Sequence, residues 1–131
     1  MRIITGFDEE SLKEIARASG NKQIVKDVSY LRTIQHFKSR QLYCERLENF
    51  AFFAGYGNSD HFRLVAIGVR SDQQGKGYGK FMLQRAMSHA RECGFSFMKT
   101  RTLNGVDFYQ RFANAKIIGM AGDDFLLEIK L

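Results

Sequence analysis

The sequence predicts a mixed α+β fold in which a mostly antiparallel sheet carries helices on both faces. Short runs rich in β-branched and aromatic residues recur along the chain and are separated by turns of Gly, Asn, Asp and Ser. Longer stretches between some of these runs carry apolar residues at helical spacing. The predicted order is strand, two helices, three strands, helix, strand, helix and two strands. Strands often follow one another directly, which favours an α+β fold over the regular strand–helix alternation of a parallel α/β fold.

Length and composition are those of one ordinary domain, expected over residues 1–131. The hydrophobic share is 44% and the charged share 26%. No apolar run reaches the roughly 20 residues that a membrane helix needs, and residues 1–7 are too short and polar for a secretory signal. Cys44 and Cys93 form neither a disulfide framework nor a metal-binding cluster. We therefore expect a cytoplasmic protein without a metal, in which the thiols are ordinary core residues.

The first predicted elements are a strand over residues 2–7 and a helix that begins after Asp8. An aspartate suits the N-cap position, and the two glutamates that follow suit the positive end of the helix dipole. Gly20 is the expected end of this helix. A second helix is predicted over residues 21–40 because six apolar residues lie near a period of 3.6: Ile24, Val25, Val28, Leu31, Ile34 and Phe37.

Three strands are predicted in the middle of the chain, over residues 41–45, 50–56 and 62–69. The second strand is rich in aromatic residues, which favour strands. Residues 46–49 and 57–60 have the composition of turns. These short connections predict an antiparallel meander.

The last third of the chain begins with a helix that has a clear apolar stripe and ends at Gly94. The stripe consists of Met82, Leu83, Ala86, Met87 and Ala90. A strand over residues 95–102 and a short helix around residues 106–112 are expected next. Strands over residues 116–119 and 125–131 close the chain around a turn at 121–123.

A glycine-rich loop joins the fourth strand to the third helix, and it is the most informative segment of the sequence. Free N–H groups at a helix start bind phosphate, and glycines let the backbone approach an anion closely. Lys76 and Lys80 add positive charge. A Walker A loop is excluded because Gly77 follows Lys76, and the preceding meander argues against a dinucleotide fold. A coenzyme A diphosphate site remains, with a simple tight turn as the alternative.

Two motifs in this half of the chain resemble those of the GNAT superfamily of N-acetyltransferases. Gln74, Gly77 and Gly79 match the family's first signature, Gln or Arg, two residues, Gly, one residue, then Gly or Ala. Asn104 and the Phe-Tyr-Gln-Arg-Phe run of residues 108–112 resemble its second. The resemblance covers about residues 50–131. Ser71 stands where the family often has Pro, and Asn114 is expected to replace a glycine at the end of the fourth helix.

The resemblance implies a GNAT-like, twisted sheet of about seven strands that splays between the fourth and fifth strands. Acetyl-coenzyme A, as co-substrate, would lie in that opening with its diphosphate on the amides of residues 74–79. The acetyl group would pass directly to a primary amine. The implied cofactor-binding residues are Ile67, Val69, Gln74, Gly75, Lys76, Gly77, Tyr78, Gly79, Lys80, Asn104 and Phe108.

The implied catalytic residues are Gly68, Val69 and Tyr109. A bulge at Gly68 would free an N–H near Val69 to hold the thioester oxygen, although a glycine in a strand also occurs without such a role. Tyr109 would protonate the leaving thiolate, since a tyrosine holds its proton at neutral pH. A core aromatic is the alternative for Tyr109. Asn104 would contact the pantetheine arm of the cofactor or its pyrophosphate end, cap the short helix, or do both.

The general base is left open by the sequence. Residues 64–69, where some relatives carry a glutamate, contain no carboxylate. Glu45, Asp60 and His61 are candidates by strand position only. A chain of water molecules or an already neutral amine would also serve.

The predicted function is that of an acetyl-CoA-dependent N-acetyltransferase, and the acceptor is left open. A small amine, a polyamine, an antibiotic, a protein amine and an aminoacyl-tRNA are all consistent with the sequence, and dimers are common in the family. A catalytically silent acyl-CoA sensor or interaction module is the first alternative. A nucleic-acid-binding protein is the second, since the formal net charge is +6. The scattered basic residues argue against it, and no membrane partner is expected.

Overall fold

A seven-stranded sheet forms the centre of the structure, a computed structural model that describes residues 2–37 and 41–131. The strands are β1 (Ile3–Thr5), β2 (Leu42–Leu47), β3 (Ala51–Gly57), β4 (Phe62–Val69), β5 (Phe97–Thr102), β6 (Lys116–Ala121) and β7 (Asp124–Lys130). The helices are α1 (Glu9–Ala18), α2 (Lys22–Phe37), α3 (Tyr78–Glu92) and α4 (Val106–Ala113), and a short 3₁₀ turn covers Ser71–Gln73. The order of elements is the one that the sequence predicts.

The strands lie in the order β1-β2-β3-β4-β5-β7-β6. Strands β1 to β4 form the predicted antiparallel meander, and β7 lies antiparallel between β5 and β6. Only β4 and β5 run parallel among the described strands, because α3 connects them and returns the chain to its starting end. The predicted mixed α+β class is therefore confirmed.

The predicted ends of the first two helices follow from local chemistry. Asp8 caps α1 by accepting a hydrogen bond from the Ser11 N–H at 3.3 Å, and Gly20, at a φ of +77°, follows its last turn. Helix α2 begins at Lys22, where the Asn21 side chain accepts a hydrogen bond from the Gln23 N–H at 2.9 Å. The predicted extension of α2 to residue 40 lies outside the described residues.

Several strand ends differ from the prediction by one or two residues. Strand β1 is shorter at both ends, with Gly6 at a φ of +120° after it. Strand β2 extends to Leu47 because its last two residues pair with both β1 and β3. Strand β5 begins at Phe97, since the preceding residues complete the end of α3. Pairing between β6 and β7 continues up to the Gly122–Asp123 turn.

Two apolar cores cover the two faces of the sheet. On one face α1 and α2 pack on β2 to β4, and Leu12, Val28, Leu31 and Phe52 belong to the same buried cluster. On the other face α3 and α4 pack against residues that include Phe53. Because side chains alternate along β3, Phe52 and Phe53 belong to opposite faces. Helices therefore lie on both sides of the sheet, as the sequence predicts.

Strand β4 contains a bulge at Val65, not at Gly68 as the resemblance implies. Ala54 pairs with Ala66 and Gly55 with Leu64, so Val65 is the extra residue between two paired ones. The pairing of Gly68 with Phe52 is regular. Gly68 instead makes room for an aromatic ring, because a Cβ atom there would lie 2.3 Å from Cε1 of Phe52.

Candidate active site

Strands β4 and β5 diverge shortly after they begin to pair. Their parallel pairing covers only Phe62 with Met98 and Arg63 with Lys99. The next carbonyl of β4, that of Leu64, accepts a hydrogen bond at 2.9 Å from the Thr100 hydroxyl. The bulge at Val65 follows immediately and increases the local twist. The expected splay is present, and it opens the sheet.

The backbone N–H groups of Ile67 and Val69 point toward this opening. The Arg70 N–H donates to the Phe50 carbonyl at 2.9 Å, which makes that pair a hydrogen-bonded one. In an antiparallel ladder such pairs alternate with pairs whose N–H groups point away from the partner strand. The Gly68 N–H therefore faces β3, while those of Ile67 and Val69 face the opening. The register thus provides a directed donor at Val69 without a bulge at Gly68.

A cleft of about 830 Å³ occupies the opening between α2, β4 and the segment that joins β5 to α4. Six of the predicted site residues line it: Ile67, Val69, Gln74, Asn104, Phe108 and Tyr109. Residues from two separate stretches of the sequence, 67–74 and 104–109, are thus brought together. Gly68 is not among the lining residues: its N–H faces β3, and the Phe52 ring occupies the space beside its Cα atom.

The start of α3 lies beside this cleft and carries the glycine loop. Gly75 and Gly77 adopt φ angles of +78° and +85°, the left-handed region that favours glycine. Gly77 is the N-cap and provides no side-chain cap, so the first N–H groups of α3 have no side-chain acceptor at that position. No atom lies within 4 Å of where a Cβ at Gly75 or Gly77 would stand. The loop is therefore an open, positively polarised helix start.

The side chains around this loop have distinct contacts. The Gln74 amide group donates to the carbonyls of Val69 at 3.2 Å and Ser19 at 3.3 Å, so it ties the loop to β4 and to the end of α1. Lys76 is exposed and donates to the Gln73 side chain at 3.2 Å. The Lys80 ammonium lies 5.3 Å from the centre of the Phe112 ring, a cation–π contact on the α4 side. Lys76 therefore adds its charge to the loop, whereas Lys80 lies in α3 and is directed toward α4.

Tyr78 and Gly79 form the first residues of α3. The Tyr78 ring stacks beside that of Phe50, with the ring centres 6.1 Å apart. A Cβ at Gly79 would lie 3.4 Å from the Phe108 ring and 3.8 Å from Val69, which places the helix start against both sides of the cleft. These contacts connect the glycine loop with Val69 and Phe108, two of the predicted cofactor-binding residues.

Asn104 lines the cleft but does not cap α4. The N-cap is Gly105, whose N–H donates to the Thr102 hydroxyl at 2.8 Å. The capping role suggested by the sequence is therefore wrong, because the helix begins one residue later than that role requires. Asn114 does end α4 in the left-handed conformation, with a φ of +51°, as predicted from the missing glycine.

Tyr109 belongs to both the apolar core and the cleft wall. The residue is only 8% exposed, and its ring packs beside that of Phe108. Burial raises the pKa of Tyr109 to about 12, and a hydrogen bond with Thr100 partly opposes that rise. The hydroxyl therefore keeps its proton at neutral pH. A proton-donor role and a core aromatic role are therefore compatible for Tyr109.

Comparison with known proteins agrees with this geometry. Residues 36–115, more than half of the chain, match the model of the acetyltransferase (GNAT) family. The chain belongs to the GNAT family. No match is found among curated protein sequences.

Solved structures of other GNAT proteins share the fold over nearly the whole chain. The PaiA N-acetyltransferase of Thermoplasma acidophilum, solved in complex with coenzyme A, is 19% identical over 100% of both chains, with a TM-score of 0.76. The aminoglycoside 6'-acetyltransferase type Ii is 12% identical, covers 99% of this chain and 97% of its own, and has a TM-score of 0.75. The ribosomal-protein-S18-alanine N-acetyltransferase of Escherichia coli is 10% identical, covers 98% and 94%, and has a TM-score of 0.70.

The three candidate bases of this GNAT chain do not line the cleft. Glu45 is buried on the α3 face, where it accepts hydrogen bonds from Arg85 at 2.8 Å and from the Tyr43 hydroxyl. Asp60 and His61 contact each other at 2.6 Å in the turn before β4. Strand position alone suggested all three, and it does not determine which face or end of the sheet a side chain occupies.

The cleft of this GNAT protein contains charged residues that the sequence did not single out. Asp27 on α2, Arg63 on β4 and Asp124 on β7 line it, together with Lys26 and Arg101. Burial raises the pKa of Asp27, while nearby charges have smaller effects. Asp27 belongs to no sequence motif. The one signal in the sequence is its position in α2 between the apolar residues Val25 and Val28.

Among residues 2–37 and 41–131, no three His, Cys, Asp or Glu side chains come together as a metal site. None of the helices in those ranges is long and apolar enough to cross a bilayer.

Proposed function

We propose that this GNAT protein is an acetyl-CoA-dependent N-acetyltransferase that acts on a primary amine. The observation that carries the proposal is the uncapped start of α3, with Gly75 and Gly77 in the left-handed region, beside a cleft between splayed strands. Such a helix start binds a phosphate group through its N–H donors and its dipole. The coenzyme A complex of the PaiA relative supports the same assignment.

The residues present fit coenzyme A. A side chain at Gly75 or Gly77 would fill space that a diphosphate needs, and both glycines leave that space open. The N–H groups of residues 74–79 would hold the diphosphate, with Lys76 adding charge. The outward N–H groups of Ile67 and Val69 would bind the extended pantetheine arm, since they offer it the edge of a strand. Asn104 and Phe108 form the opposite wall.

Two groups of the chain would act on the thioester. The Val69 N–H would donate to the carbonyl oxygen as negative charge develops there. The Tyr109 hydroxyl would donate its proton to the sulfur that leaves. Because its pKa is raised to about 12, Tyr109 remains protonated across the neutral range. Bound acetyl-CoA would supply the activated acetyl group.

Other properties are proposed on narrower grounds. Residues 1–131 would form a single acetyltransferase domain, since helices on both faces pack on one sheet. Cys44 and Cys93 are free thiols, which favours the reducing cytoplasm. The names of two structural relatives give very different acceptors, a ribosomal-protein alanine and an aminoglycoside. A protein amine and a small-molecule amine therefore both fit the family.

The function is tested by two measurements on the purified chain. Acetyl-CoA is expected to raise the melting temperature, because a ligand that binds only the folded state stabilises it. Thiol release from acetyl-CoA, measured over a panel of primary amines, is expected to depend on the amine. Stabilisation without turnover on any amine would favour an acyl-CoA sensor. Absence of stabilisation would contradict the coenzyme A site itself.

The variant Tyr109→Phe tests the acid. Turnover is expected to fall by about 10²-fold, the lower end of what a positioned acid contributes, while acetyl-CoA affinity stays near that of the unchanged chain. The measurements are steady-state thiol release and calorimetric binding. Equal turnover in the two proteins would remove Tyr109 from the mechanism.

A further inference from the structure

The acceptor side of the cleft contains one carboxylate without a charged partner. Asp124 is paired with Arg101, whose Nε lies 2.8 Å from its Oδ2. Asp27 accepts a hydrogen bond from the neutral Gln23 amide group at 2.9 Å. In the part of the chain that the structure describes, no Lys, Arg or His nitrogen lies within 4.0 Å of the Asp27 carboxylate. Of the two cleft carboxylates, Asp27 is the one available to a ligand.

Charged and titratable groups from several elements face Asp27. Arg63 on β4, Arg101 on β5 and Asp124 on β7 act on its pKa, and burial has the largest effect and raises it. From α4, Tyr109 is near enough for the charge of Asp27 to raise the pKa of that hydroxyl. Lys26, beside Asp27 on α2, lines the same cleft. Asp27 therefore lies near the residue proposed as the acid and across the opening between β4 and β5.

Arg63 is a second cleft residue without a partner among the described residues, since its guanidinium makes no hydrogen bond or ion pair within them. It is the first charged neighbour that acts on Asp27, and its attraction lowers the carboxyl pKa. The two groups are nonetheless more than 4.0 Å apart, so they do not satisfy each other directly. A ligand with both charges would satisfy Asp27 and Arg63 at the same time.

We propose that Asp27 binds the acceptor's ammonium group and accepts its proton during transfer, and that Arg63 binds an anionic group of the same acceptor. This inference rests on the proposed function and assigns its acceptor side. The acceptor is then a zwitterion with one amine and a nearby carboxylate or phosphate. A polyamine fits poorly, because the cleft is lined by three cations, Lys26, Arg63 and Arg101, and two carboxylates.

The proposed step balances in atoms and charge. The bound ammonium group transfers one proton to the Asp27 carboxylate, and the resulting free amine nitrogen forms a bond to the carbonyl carbon of the thioester. The carbon–sulfur bond breaks, and the sulfur takes a proton from the Tyr109 hydroxyl. The nitrogen loses its second proton, which returns through solvent to Tyr109, and Asp27 releases its own proton to solvent. Ammonium and thioester thereby become amide, thiol and one released proton, with the chain restored.

Three probes of equal chain length separate the possible acceptor charges: β-alanine, propylamine and 1,3-diaminopropane. With acetyl-CoA present, thiol release is expected to be fastest with β-alanine and slowest with the diamine. Arg63→Gln is expected to remove the preference for β-alanine over propylamine. A preference for the diamine, or a β-alanine preference that survives Arg63→Gln, would overturn the assignment of Arg63 and of the acceptor class.

Asp27→Asn tests the carboxylate at nearly constant size. At neutral pH, kcat/KM is expected to fall by about 10²-fold with each probe, the scale of general base catalysis. The deficit is expected to shrink as the pH approaches the pKa of the free amine, about 10.4, because the amine then needs no base. Acetyl-CoA affinity should not change. An undiminished kcat/KM at neutral pH, or a deficit independent of pH, overturns the proposal.

Two controls separate chemistry from structure. Asp123→Asn makes the same charge change at an exposed position outside the cleft, and its activity should equal that of the unchanged chain. Asp27→Asn should keep or raise the melting temperature at neutral pH. The folded-state pKa of Asp27 is raised, so its ionised form costs stability above that pKa, and removing the charge removes the cost.

A final measurement needs no turnover and no acetyl-CoA. The pH titration of the Asp27 carboxyl carbon is followed by NMR with and without β-alanine. Binding of the ammonium group should lower the Asp27 pKa, since an opposite charge favours the ionised form. An unchanged titration overturns the proposal even if the protein binds acetyl-CoA. A shifted titration without any acetyl-CoA binding would retain the amine site and contradict the proposed transferase.

Discussion

The glycines of the sheet and those of the loop after β4 meet different physical requirements. A Cβ at Gly55 would lie 2.4 Å from the Arg63 carbonyl oxygen, and one at Gly68 would lie 2.3 Å from the Phe52 ring. A Cβ at Gly75 or Gly77 would meet nothing within 4 Å, but both residues have positive φ angles. In the sheet, space requires glycine, and in the loop, backbone conformation requires it.

The difference indicates which glycines serve the stability of the fold and which leave space for a ligand, although Gly68 and Gly75 are only seven residues apart. A crowded glycine serves the packing of the chain itself, so its replacement should cost folding free energy. An open glycine at a helix start leaves space for something outside the chain. Gly68 was expected to act in catalysis, yet its surroundings are those of a packing residue, whereas Gly77 has the open surroundings that an anion site needs.

Gly77→Glu should have the largest effect. The added side chain and charge both oppose a diphosphate, so acetyl-CoA affinity is expected to fall at least ~100-fold, about 3 kcal/mol. Calorimetry measures the affinity, and thermal unfolding checks that the chain remains folded. Gly77→Ala is the matched control, since it has the same left-handed strain, about 1 kcal/mol, without the charge. Equal affinities for Gly77→Glu and the unchanged chain would contradict the diphosphate site.

Gly68→Ala should have an intermediate effect, and on stability. The added methyl group is forced against the fully buried Phe52 ring, and overpacking of this kind costs about 2 kcal/mol. Denaturant unfolding measures the loss. The double variant Gly68→Ala with Phe52→Leu should lose less than the sum of the two single changes, because the smaller side chain relieves the contact. Strict additivity would show that Phe52 is not the cause.

Gly79→Ala should have the smallest effect. A Cβ there makes ordinary contacts, 3.4 Å from the Phe108 ring, and the residue lies in the first turn of α3. Alanine is the better helix former, so the free energy of unfolding should stay equal or rise by less than about 1 kcal/mol. Acetyl-CoA affinity should be retained. A large loss of stability would mean that the start of α3 is as crowded as the sheet.

Local sequence patterns predicted the elements well because each depends on a few neighbouring residues. Asp8 caps α1 and Asn114 ends α4, as their chemistry suggests. The glycine spacing pointed to the open start of α3, since both the required φ angles and the missing side-chain cap are local properties. Family membership followed from the same short stretch together with the pattern of residues 104–112.

Predictions that depended on pairing or facing between strands were less successful. The bulge lies at Val65, which the sequence does not distinguish from any other valine in a strand. The three candidate bases lie outside the cleft because strand position does not specify face or sheet end. The sequence does not single out Asp27, because the groups that surround it in the cleft come from β4, β5, β7 and α4, far away in sequence.

By itself the sequence determined the order of elements, the fold class and a helix start at Gly77 without a side-chain cap. These follow from periodicity, capping and backbone conformation, which act over a few residues. Only the tertiary structure decided where β4 separates from β5 and which charges share the resulting cleft. The register of the strands and the packing of α2 over the opening set those distances, and both arise from contacts between residues far apart in the chain.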